Sequence, residues 1–237
     1  MTTSGTATFT VTRDDIIKAA LRSLGVIATG ETPQNEDYTN CAFALNLILK
    51  TLAADGYLLW CYVNVTVPLT SGTASYTLGP SGATVTTNRP IRLASAFLRD
   101  PDSNDVEVEV LSKSDYNMMT PKTQAGIPSS VYYDPTLDKG TLYVWPVINE
   151  TGYNLIVTVQ RQVEDIATGT SSTQNFDLPQ EWFQPLRWML AKEIGPEYAV
   201  NLPKLQMIEA RANEWEEKIA NFTREEASVY FTVNPQQ

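Results

Sequence analysis

The sequence has no histidine, only two cysteines (Cys41 and Cys61), and 17 lysines and arginines against 27 aspartates and glutamates. Without imidazole it lacks the commonest general base and the commonest metal ligand together. A histidine-dependent serine or cysteine nucleophile is therefore excluded. Two cysteines this far apart match no zinc spacing, and Cys41 falls on an apolar helical stripe, so buried free thiols are expected ahead of a disulfide. The bases are scattered and form no stripe that could neutralise successive phosphates, which argues against a direct grip on DNA. A net charge of −10 suits solubility, or the lining of a conduit along which DNA slides without sticking. No run approaches the ~20 apolar residues needed to span a bilayer, and MTTSGTATFTVT offers neither a basic start nor a long apolar core. The expectation is a chain with no signal or membrane segment, folded in a reducing cytoplasm. GPSG and SLGVIATG lack the spacing of a phosphate-binding loop, and no G-x-S-x-G elbow occurs.

What is present is the material for a sizeable core: 237 residues, 43% hydrophobic and 10% aromatic, enough for one large domain or two smaller ones. TRDDIIKAALRSLGV reads as a helix capped by Thr12, with Asp15 three residues on and Ile16, Ala20, Leu21 and Leu24 on one face, ending at Gly25. PQNEDYTNCAFALNLILKTLAADG places Tyr38, Cys41, Leu45, Ile48 and Leu52 at alternating steps of three and four, a long amphipathic helix closed by Gly56.

After Trp60 the period changes. CYVNVTVPLT, TASYTL, RPIRLASAFLRD and DVEVEVL are β-branched and aromatic runs broken by Gly, Pro and Asn. In VEVEV, strict alternation puts Val106, Val108 and Val110 on a buried face and Glu107 and Glu109 on a wet one. A helical turn at SKSDYNMM precedes SSVYYDP, GTLYVWP and YNLIVTVQRQV, three more strand candidates. Six or seven short strands suggest an antiparallel sheet or small sandwich over residues 61–169.

GTSSTQN reads as the linker back to helix. DLPQEWFQPLRWMLAKEIG carries Trp182, Leu186, Met189 and Leu190 at helical spacing, with Asp177 and Pro179, and later Asn201 and Pro203, as cap and first-turn pairs. In the last helix Leu205, Ile208, Ala212, Trp215, Ile219 and Phe222 form a seam that packs on helices of its own chain, on another copy, or both. The fold class is thus α+β: an antiparallel helical bundle from both chain ends (12–60 and 170–226), interrupted by an inserted antiparallel β domain. Residues 227–237 form a C-terminal extension in which Tyr230, Phe231 and Val233 call for a partner or fold back on the β domain.

The candidate chemistry is thin. Asp100, Asp102 and Asn104 imitate the first ligands of a calcium loop, but Asp105 stands where that loop needs Gly and Leu111 where it needs Glu, so a solvated hairpin tip is expected. Asp134, Asp138, Glu107 and Glu109 could be nominated as a glycosidase pair, yet the first two are ordinary turn residues and the glutamates alternate with valine. Tyr57, Trp60 and Tyr62 resemble a sugar platform, though aromatics at a junction more commonly join two parts of a protein. No catalytic residue, metal or cofactor is expected. The alternative class is a glycan-binding or lytic tail-associated protein using the β domain.

RDDIIKAALRSLGV, the helix ending LAADG, YTLGP, RPIRL, AGIPSSVYYDP…GTLYVWP and FDLPQEWFQPLRWMLAKEI together resemble the head-to-tail adaptor proteins of short-tailed, podovirus-like phages. The resemblance covers nearly the whole chain. It implies a virion neck protein, assembled in the host cytoplasm, forming a ring of about twelve copies between the portal and a tail nozzle or tail tube protein. The ring extends the DNA ejection channel, through which DNA passes without specific binding, and offers the platform for tail assembly. It also implies portal docking by the C-terminal stretch, here Ser228, Val229, Tyr230, Phe231, Thr232 and Val233, by strand addition or pocket insertion.

Overall fold

The structure, a computed structural model, describes residues 5, 9–56, 58–169 and 172–222. In chain order it comprises α1 (Arg13–Leu24), α2 (Asn35–Asp55), β1 (Tyr62–Pro68), β2 (Ser75–Gly79), β3 (Val85–Thr86), β4 (Arg92–Arg99), β5 (Asp105–Val110), α3 (Lys113–Met118), β6 (Ser130–Asp134), β7 (Gly140–Trp145), β8 (Asn154–Gln160), α4 (Phe183–Ile194) and α5 (Leu202–Phe222). The chain divides into two compact units, residues 1–57 with 164–237, and residues 58–163.

In the first unit the local signals act as read. Thr12 and Asp15 form a capping box at α1: Thr12 Oγ1 accepts from the Asp15 amide at 3.3 Å, and Asp15 Oδ2 accepts from the Thr12 amide at 3.1 Å. Gly25 and Gly56 close α1 and α2 in the left-handed region, at φ 71° and 82°, where a Cβ is disfavoured. The hydrogen bond with Thr12 holds the Asp15 carboxyl below the ordinary carboxylate range. Because the folded pKa is depressed, that contribution is present above the ordinary value and disappears as pH falls through the folded one. Thr12→Ala is expected to cost about 1 kcal/mol at pH 7. Urea melts should show the gap between variant and wild type narrowing as the pH is lowered through the carboxylate range.

α4 is the centre of this unit, packing against α1, α2 and α5. Its Leu186, Leu190 and Ala191 are fully buried with Ile17, Ala20, Leu21, Leu45, Ile208 and Ala212; each buried leucine or isoleucine contributes roughly 1.5–3 kcal/mol. In α2, Leu49 is buried where Ile48 was expected to be, and Ile48 is half-buried. Along α5, Ile208, Ala212 and Ile219 are buried, Leu205 and Trp215 half-buried, and Phe222 is 68% exposed. Asn201 caps α5, its Oδ1 accepting from the Lys204 amide at 3.1 Å. Asp177 is not the N-cap of α4. The chain makes a 3-10 turn, Gln180–Trp182, and runs directly into α4 without a side-chain cap, while an Asp177 oxygen faces the Glu164 amide at 3.4 Å.

The described end of the expected linker, residues 172–175, is tied to the start of α1. Arg13 donates its amide to Gln174 O at 3.0 Å, Thr12 bridges Asn175, and the Ser172 amide donates to Asp14 Oδ2 at 2.9 Å. Asn46 clamps the same returning segment, donating to Ile166 O and accepting from its amide, both at 2.8 Å. The buried Arg13 side chain (1% exposed) lies between Asp14, at 2.8 Å, and the carbonyls of Ala167 and Gly169.

The second unit is an eight-stranded, nearly closed sheet among the described residues, ordered β1-β8-β4-β5-β6-β7-β2-β3. One core fills it, with Leu98 and Val157 from one half of the order meeting Val131, Leu142 and Tyr76 from the other. It is not wholly antiparallel: β2 pairs β3, and β5 pairs β6, in parallel. The second exception follows from the connection, since α3 and the loop after it carry the chain across between β5 and β6 where a hairpin turn would have reversed it. β5 also departs from its alternation. Val108 is buried, but Val106 is 57% and Val110 37% exposed. The strand pairs β4 through Asp105–Val108 and β6 only at Glu109 and Val110, so it bridges the two halves of the sheet and keeps one residue over the core.

Candidate functional site

Most of the acidic candidates resolve into turn chemistry. Asp100 accepts from the Asn104 amide and side chain, both at 2.8 Å, and Arg99 holds Asp105 through two bonds of 2.7 Å. The bonds to Asn104 lower the Asp100 pKa, as the bond to Arg99 lowers that of Asp105. These carboxylates lock the β4–β5 tip, and no group of three or more acidic or thiol ligands able to hold a metal occurs among the described residues. Glu107 and Glu109 are exposed on β5, Asp138 is exposed in the β6–β7 turn, and Asp134 faces Lys113 at 3.9 Å.

Of the aromatic candidates, Tyr62 is engaged. Arg92 donates to the Tyr62 hydroxyl at 2.9 Å and lies 5.9 Å from the ring centroid, while its Nε reaches the buried Gln160 at 2.6 Å. Trp60 is half-buried, and Tyr57 lies outside the described residues. Both cysteines are buried free thiols. Burial, reinforced by Asp37 and Glu197 and opposed by a hydrogen bond with Tyr198, pushes Cys41 up to about 12, so it stays a thiol and is a poor nucleophile. The six proposed docking residues, Ser228 to Val233, also lie outside the described residues.

What the helical unit does offer is a groove of about 530 Å³. α2 and α5 each pack on α4 without packing extensively on each other, and the 21-residue pair overruns the 12-residue α4. The trough lies between the second halves of α2 and α5, alongside Met189, Lys192 and Glu193 of α4. Its floor is Leu47, Ile48, Leu52, Met189 and Ile219; its rim carries Asp55, Glu193, Glu216 and Glu217. Among the described residues its lining carries one cation, Lys192, which is engaged by Glu216 at 3.1 Å and Asn213 at 2.8 Å. Leu47 in its lining is 49% exposed, and elsewhere on the helices Phe43 (59%) and Met207 (51%) are exposed. Sequence reasoning missed the groove because three helices line it and none carries it alone. The off-stripe residues Phe43 and Leu47, apolar on the face of α2 away from its buried stripe, were the available signal.

An apolar trough with a charged rim, beside exposed apolar helical residues, is the kind of surface by which proteins meet other proteins. The SU10 adaptor protein family matches the chain over residues 11–234. The chain belongs to that family and is a phage adaptor, a component of the virion. No curated protein matches it, and no helix among the described residues is long and apolar enough to cross a membrane.

Proposed function

We propose that this adaptor is the head-to-tail connector of a short-tailed phage, a ring of about twelve copies seated between the portal and the tail nozzle or tube. The observation that carries this reading is the exposed apolar surface of the helical unit, where Phe43, Leu47, Met207 and Phe222 stand in solvent. Such residues on a virion component call for protein cover. In this reading the helices of both chain ends make the ring body, the inserted β unit faces the tail, and the protein is a scaffold without catalytic activity. The net charge of −10 suits a lumen along which DNA slides. Residues Ser228 to Val233 supply the portal contact, strengthened by its repetition around the ring.

Negative-stain microscopy of the purified chain mixed with its cognate portal is the test. Closed rings stacked on the portal are expected; bare portals at saturating adaptor would reject the connector role. Deleting Tyr230 to Gln237 should abolish decoration while leaving the thermal melt unchanged, and unimpaired decoration would show that the portal contact lies elsewhere.

A further inference from the structure

We propose that the acidic groove of one copy receives the opposite, basic flank of α5 from the next copy, so that the subunits join head to tail. This deepens the ring reading above by naming the two faces.

The two flanks are written into α5 itself. Lys204, Arg211 and Lys218 recur at heptad spacing, and residues so spaced drift only about 20° per repeat around a helix. They therefore lie along one flank, together with Met207 and Trp215. Met207 is 51% exposed, the Arg211 and Lys218 side chains are 59% and 54% exposed, and the Lys218 ammonium lies 4.6 Å over the Trp215 ring. Glu214 bridges Arg211 at 3.1 Å and Lys218 at 2.6 Å, so this flank carries three cations against one carboxylate. Across the buried ridge of Ile208, Ala212 and Ile219, the other flank presents Glu216 and Glu217 to the groove. With Asp55 and Glu193 the rim carries, among the described residues, four carboxylates against Lys192.

One helix thus shows a positive apolar side and a negative side that lines an apolar trough. The two sides belong to the same molecule and point apart, so a single copy cannot satisfy both. A second copy can, and the contact it makes is heterologous: basic flank into acidic groove, repeated from copy to copy, which closes into a ring or runs on as a filament. The helix enters the groove as an amphipathic ridge, with Met207 and Trp215 over the Leu47 floor and the bases among the rim carboxylates.

Charge exchange tests this. Arg211→Glu with Lys218→Glu should weaken self-association at least about tenfold in sedimentation velocity at low salt and remove rings from portals, as like charges then meet. Adding Glu193→Lys and Glu217→Lys to the same chain should restore both, because the inverted faces are complementary again. All four positions are exposed or half-exposed, so melts should change little. Mixing a Leu47→Cys chain with a Met207→Cys chain and adding a short bismaleimide should give mixed dimers, the native thiols being buried. If wild type forms rings and the Arg211/Lys218 variant forms them equally well, the ring reading stands and these faces are not its interface. Leu47→Cys chains that link efficiently to themselves would mean a groove-to-groove contact and overturn the assignment. If wild type associates neither alone nor on portals, the ring reading itself fails.

Discussion

Arg13→Met is expected to destabilise the helical unit by about 3–5 kcal/mol, the cost of leaving one member of a buried ion pair without its partner. Asp14 would remain 7% exposed with its carboxylate stripped of the guanidinium at 2.8 Å. The carbonyls of Ala167 and Gly169 would lose their donor as well. Arg13→Lys should recover little of this, since one ammonium cannot reproduce the forked contact with Asp14 and the backbone. Arg13→Met combined with Asp14→Leu should recover part, because removing both charges relieves the orphaned carboxylate though not the freed backbone groups. Urea melts followed by tryptophan fluorescence would show the order; equal stability of Arg13→Met and wild type would mean that the pair contributes nothing to holding the returning segment.

Gly140→Ala should destabilise the β unit by about 1–3 kcal/mol, at the upper end of that overpacking range. A Cβ at residue 140 would stand 1.8 Å from the Tyr133 hydroxyl oxygen and 2.2 Å from the ring carbon that carries it. Tyr133 has little freedom to yield: it is 7% exposed, belongs to the core, and donates to Pro90 O at 2.9 Å. Tyr133→Phe alone should cost about 1 kcal/mol for the lost bond and should not rescue Gly140→Ala, because the ring carbon remains in the way. A thermal melt monitored by near-ultraviolet dichroism separates these outcomes, and a near-wild-type Gly140→Ala would refute the steric account.

These two positions also mark where the sequence stopped being legible. Local chemistry was readable: the Thr12–Asp15 box, the closing Gly25 and Gly56, the Asn201 cap and the short α3 each depend on residues within a turn of one another. Arg13 and Gly140 depend on partners far along the chain. In TRDD an arginine at a helix start looks like solvent-exposed charge, and only the return of residues 164–177 across α1 buries it. Gly140 after Asp138 looks like turn chemistry, whereas its role is to let the Tyr133 ring pass. Val106 and Val110 failed for a related reason. Alternation fixes which side of a strand a residue faces, but not whether the sheet has a core beneath that stretch, and β5 spans the join between two halves. The groove was illegible because no single helix contains it.

The pairing of β1 with β8 has a consequence for how such a chain can change over time. Tyr62 sits opposite Gln160, so the β unit's entry and exit strands are zipped side by side, and the host chain leaves and re-enters at nearly one point. A module closed at its base in this way can be lost, enlarged or exchanged with little strain on the residues that flank it. Variation can then accumulate in that unit while the helices keep their own geometry.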